Sequence, residues 1–173
     1  YDEIGDDSSR RFWLRKQMDA VDNNPDEADD RMRYLAAEAS AILAREALAY
    51  YDSIRLTLPL NQSMAAKTEA LEEAVIAYQK TVSYGVSSFS TEAGYQIAHI
   101  YARLGRDLMD SERPEGLSEL ELAQYELLLE EQAYPFEDNA IDIHEQNASR
   151  ARNGIFDEWV QRSYEALKTL LPG

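Results

Sequence analysis

His99 and His144 are the only imidazoles in the 173 residues, and cysteine is absent. Those two facts close most routes to catalysis. A carboxylate-bridged di-iron bundle carries Glu-x-x-His on its helices, but Gln96 and Ile141 stand three residues before the two histidines. The His-Glu-x-x-His zinc signature fails as well, because Ala148 stands where the second histidine would be. Without thiols there is no Cys nucleophile, disulfide or Cys-type zinc site. Ser63 and Lys67 are four apart, whereas Ser-x-x-Lys hydrolases need a spacing of three, so Ser63 reads as a helix cap. No Gly-rich phosphate loop occurs. Carboxylates are plentiful, but on helical segments they form a solvated face, and no acid–base pair stands out. The expectation is a non-catalytic protein with neither metal nor cofactor.

The elements that would position these residues are helices. The chain has 7 Gly and 5 Pro, few enough to favour long helices, and its middle is rich in Ala, Leu, Glu and Arg, all good helix formers. A polar stretch over Tyr1–Asp7 precedes a helix capped by Ser8 or Ser9 and carrying Phe12, Trp13, Met18 and Val21. Asn23-Asn24-Pro25 is a stop and turn. Pro25 or Asp26 opens the next helix, with Asp29–Leu58 free of Gly and Pro and spaced as a helix. Pro59–Ser63 is a turn, and a helix from Met64 to Tyr84 ends at Gly85. Ser90 or Thr91 caps another that reaches Met109. Asp110–Gly116 is a loop, Ser118 caps a helix to Tyr134, Pro135 begins one to Arg152, and Asp157–Leu171 is the last. Three divisions follow: 1–24, a tail and short helix; 25–86, a long degenerate hairpin; and 87–173, two further hairpins, the first with an insertion at 106–118.

Charge narrows the partners. Lys and Arg total 17 against 33 Asp and Glu, a net charge of −16. That surface repels phosphate backbones and anionic lipid, so no nucleic acid is expected. It leaves room for a basic protein partner, whose attraction would act mainly on the association rate. No apolar run approaches the roughly 18–20 residues of a membrane span, so direct membrane insertion is not expected. The first residue is Tyr1 rather than Met, which suggests a processed or excised piece.

Self-similarity is the main signal. Gly94-x2-Ile97-Ala98-x2-Tyr101-x2-Leu104-Gly105 is followed by Ala123-x3-Leu127 and Pro135. Val160-x3-Tyr164-x2-Leu167 precedes Pro172, and Ala74-x3-Tyr78 is a third copy. These motifs resemble the tetratricopeptide repeat (TPR), with Gly94 in place of its Trp and Ala98 in place of its Gly. The resemblance implies an all-α fold of antiparallel helical hairpins stacked as a TPR-like right-handed solenoid. The stretch Leu127–Glu137 and Tyr164-Glu165-Ala166-Leu167 also resemble large bacterial cell-envelope TPR proteins, which would imply a periplasmic or outer-membrane-associated scaffold; the cytoplasm is the alternative.

In the TPR family the first helix of each unit lines a concave groove. Carried onto this chain, that role falls to Glu92, Tyr95, His99 and Ala102, with Arg103 beside them. Counting from Pro135, the next unit offers Asn139, Asp142, Gln146 and Ser149; counting back from Pro172, it offers Asp142, Glu145, Ser149 and Arg152. The expected function is a scaffold holding a peptide or protein in that groove. The alternative is self-assembly, or packing against the rest of a longer chain, through the last helix, where Trp159, Val160, Tyr164 and Leu167 await a cover.

Overall fold

The computed structural model describes residues 3–171; Tyr1, Asp2, Pro172 and Gly173, parts of the expected tail and closing proline, lie outside them. The described residues form six α-helices: α1 (Glu3–Asp22), α2 (Asp30–Ser53), α3 (Leu60–Ser83), α4 (Ser87–Met109), α5 (Glu119–Ser149) and α6 (Glu158–Leu170), with a 3-10 turn at Arg150–Asn153 after α5. Each helix packs antiparallel on the next. Val21 of α1 meets Ala36 and Ala37 of α2. Ser40 of α2 bonds Thr81 of α3 at 2.9 Å.

Alternate helices then lie side by side and parallel. Arg45 and Asp52 of α2 reach Glu92 and Arg103 of α4, while Tyr95 of α4 meets Trp159 of α6. Contacts thus join α2 to α4 and α4 to α6 as well as each helix to the next. Its principal core, built on Tyr51, Leu71, Tyr78, Ile100 and Leu104, also takes in Phe136 and Ile143 of α5. It runs across the expected division at residue 86.

α4 sits at the centre and buries residues along its whole length. Its approach to α5 is close because small residues face each other: Ala98 and Ala140 are both fully buried. At Gly94 a Cβ would lie 2.6 Å from Asn147 Oδ1. The glycine that stands in a large residue's place is therefore explained by the distance between two helices.

Several boundaries differ from the sequence expectation. α2 opens at Asp30, not Pro25 or Asp26, because Asp29 is the cap and its carboxylate accepts from Met32 N at 2.7 Å. α2 stops at Ser53, short of Leu58. The reason lies on another helix: Lys67, only 2 % exposed, donates to the carbonyls of Tyr51 and Ile54 at 2.7 Å each. Its ammonium stands 3.7 Å from the centre of the Tyr51 ring. A cation on the last carbonyls is a favourable helix end, and burial lowers the Lys67 pKa. Ser63 is not a cap; it lies inside α3 and its hydroxyl bonds the Thr57 backbone. Ser90 and Thr91 are likewise buried inside α4, which starts at Ser87. Ser118 does cap α5, with Glu121 completing a capping box.

The largest difference is at Pro135. The expected hairpin turn there is absent, and α5 runs through the proline for 31 residues. Pro135 is exposed. Glu131, whose carbonyl loses its amide partner to the proline, is exposed as well, so the break in the bonding ladder falls on the solvent side of the helix, where an internal proline is tolerated. The two hairpins expected over 87–173 become one long hairpin, α4–α5, followed by α6.

Two predictions follow from this packing. Replacing Pro135 with Ala should raise stability to urea by about 1–3 kcal/mol and increase helicity, since proline costs about 3 kcal/mol inside a helix; a loss of stability would mean that residue 135 is a turn. Gly94→Ala should lower stability by about 1–3 kcal/mol through overpacking, despite alanine's better helix propensity, because Asn147 is held by two other bonds. Urea melts of the two variants check both.

Candidate functional site

Tyr95, His99, Ala102 and Arg106 recur on one face of α4 and form one wall of a groove of about 430 Å³. Arg162, Glu165, Ala166, Thr169 and Leu170 of α6 form the other wall, and His144 of α5 lines it as well. Tyr95 is the hub. Its ring stacks on His99 at 5.5 Å and 13°, and lies 5.5 Å from both His144 and Trp159. Both histidines of the chain thus flank one tyrosine.

A buried polar network holds the walls in place. Asn147 Nδ2 donates to the Thr91 carbonyl at 3.1 Å and to Ser163 Oγ at 2.9 Å, joining α4, α5 and α6. Asp157 caps α6 by accepting from Trp159 N and Val160 N, and its other oxygen accepts from Thr91 Oγ1. Ser163 Oγ is also 3.2 Å from His144 Nδ1. Because the serine oxygen already accepts from Asn147, its proton is best placed on Nδ1. That arrangement leaves the neutral ring's hydrogen on Nε2, an atom with no partner in the fold. Burial, with the neighbouring His99 second, lowers the His144 pKa to about 4; burial, then Arg103 and Arg106, lowers that of His99. The groove is lined by Tyr95 and His99, the edge of the buried His144, the apolar Ala102, Ala166 and Leu170, and the charged Arg106, Arg162 and Glu165. Among the described residues no cluster of His, Asp or Glu is arranged to hold a metal ion.

The residues expected to share one concave surface are divided. Tyr95 and His99 lie together in this groove. Glu92 does not reach it: the side chain is buried and held by Arg45 through two bonds of 2.7 Å. Arg103 turns the same way, donating to Asp52 at 2.6 Å across a second groove between α2 and α4. Glu145 and Ser149 line a third, with Tyr164 and Leu167. Asp142 is exposed on α5. The physical reason is the unbroken α5. Counting from Pro135 gave Asp142 and Ser149, and counting back from Pro172 added Glu145, both on the premise of a helix beginning at Pro135, whereas the helix that packs beside α4 is α6. His144 and Arg162 were missed for the same reason; Arg106 is a different case, since its eleven-residue offset from Tyr95, three helical turns along one face of α4, was legible locally.

No family model, curated protein or solved structure matches the chain.

The buried His144 carries a pH consequence. Its pKa falls from 6.5 in the unfolded chain to about 4 when folded, so the unfolded state binds more protons between those values. Stability is then fully present above pH 6.5 and is lost as pH falls toward 4, by about 3 kcal/mol for a shift of that size. In urea melts from pH 7 to 4, His144→Asn should show a shallower loss than the parent chain. Equal slopes would place the proton uptake elsewhere.

Proposed function

We propose that this chain is a non-catalytic interaction module that holds a peptide or protein segment in the groove between α4 and α6. The observation that carries the reading is the open cleft of about 430 Å³ around Tyr95. It falls within the range of ligand sites and pairs an aromatic hub with a buried imidazole whose Nε2 has no hydrogen-bond partner among the described residues. Tyrosine is favoured at recognition surfaces because its ring gives large contact area at low entropic cost.

Connectivity supports a TPR-like solenoid: sequential antiparallel helices whose alternate members, α2, α4 and α6, share a layer. The helices are longer than a unit of about 34 residues permits, so the likeness is one of stacking. The scaffold reading extends to a bacterial envelope assembly only through the motif resemblance.

A second reading, self-assembly or packing within a longer chain, is favoured by α6. Tyr164 and its ring neighbour Phe156 are 41 % and 64 % exposed, on the side away from α4, where another hairpin would continue the stack.

The test is selection of peptides from a displayed library against the intact chain, followed by titration with Tyr95→Ala. Loss of about tenfold or more in affinity is expected, the usual scale for a central aromatic anchor. Undiminished binding by Tyr95→Ala sinks the groove assignment. Light scattering that shows dimers, lost in Tyr164→Ser, favours the assembly reading instead.

A further inference from the structure

We propose that the outward face of α5 is a second docking surface, and that its occupant is a cationic amphipathic helix. The register of α4 on α5 sets up the surface. Gly94 lies against Asn147, and Gly105 against Ala133 and Glu137, so Met109 ends near Leu129. Glu119–Leu128 therefore extends past the end of α4. The loop Asp110–Leu117 returns along one side of it, with Arg113 within 3.8 Å of Glu126. The opposite side, at Leu120 and Leu127, is exposed.

That side is apolar. Leu120, Leu127 and Tyr134 are 70 %, 56 % and 67 % exposed, with Leu128 beside them at 56 %. Seven-residue spacing keeps the first three on one stripe, drifting about 20° per heptad. This is the seam on which a second helix packs, and large exposed apolar residues in a row mark an interaction surface. The inward positions Leu129, Ala133 and Ala140 are buried, so the stripe is surplus to the fold's own core.

Charge selects the occupant. Between Glu119 and Ser149 the helix carries nine Asp and Glu and no Lys or Arg. Beyond Tyr134 the outward stripe continues through the exposed Asp138 and Asp142. A second copy would set carboxylates against carboxylates in a chain of net charge −16, and an anionic bilayer is repelled equally. A helix with leucine-like residues on one face and Lys or Arg flanking them satisfies both features at once.

The surface is separate from the α4–α6 groove, so the two fail separately. The probe is a synthetic Leu/Lys amphipathic helix, compared with its Glu-for-Lys counterpart, titrated against the whole chain by fluorescence anisotropy at low and physiological salt. The Lys peptide should bind and the Glu peptide should not. Leu127→Ser with Leu128→Ser should weaken binding by about tenfold or more, and Glu130→Gln with Glu131→Gln should flatten the salt dependence. Circular dichroism checks that the fold survives; Leu120→Ser, at a still more exposed position, is the substitute if the double variant unfolds. Tyr95→Ala should leave the affinity unchanged. The proposal is overturned if the leucine variants bind as well as the parent, if the Glu peptide binds equally, or if Tyr95→Ala abolishes binding. Dimers of the chain that Leu127→Ser dissolves would overturn it too, by making the occupant a second copy.

Discussion

The close approach of α4 to α5 is the constraint on which the rest of the molecule depends. It exists because Gly94 offers no Cβ to Asn147, and because Ala98 and Ala140 keep the seam narrow. At that distance the Asn147 amide reaches both the Thr91 carbonyl and Ser163. One buried side chain thus fixes three helices. A buried amide left unpaired is costly, so the position of α6 is set by hydrogen bonding as well as by the apolar contacts of Val160.

The same seam creates the groove. Once α6 is pinned beside α4, Tyr95 is held between His99, His144 and Trp159, and the cleft opens along the faces the two helices leave uncovered. Burial holds His144 uncharged at ordinary pH, and the charged lining is two arginines, Arg106 and Arg162, against one carboxylate, Glu165. The cleft is therefore a local exception in a strongly acidic chain. The outward face of α5 is the rule in concentrated form, with carboxylates and exposed leucines on one helix. Two surfaces of different character on one fold are the observations behind the two binding roles proposed above.

Polar residues placed far apart in sequence set the ends of elements. Lys67 terminates α2 by binding its last carbonyls, and Asp157 joins the start of α6 to Thr91 of α4. In each case a group that local spacing reads as an ordinary helix residue or cap acts on a second helix as well.

The sequence by itself determined that the chain is helical, where most helices lie, and that Gly85, Ser118 and Asp157 mark boundaries. These are local matters: propensity, periodicity and capping act over a few residues. The resemblance to the TPR first helix singled out Tyr95 and His99 together with Glu92 and Arg103, and only the first two line the same groove. Only the tertiary structure decided that α2 ends at Ser53, since the lysine that ends it comes from α3. Only the tertiary structure decided that α5 continues through Pro135, because a proline is tolerated on a helix face open to solvent, and exposure is not written in local spacing. That one decision moved Asp142, Glu145 and Ser149 away from Tyr95 and put His144 beside it. A groove between helices is a property of their packing, and packing is settled by contacts such as Gly94 with Asn147, 53 residues apart in the chain.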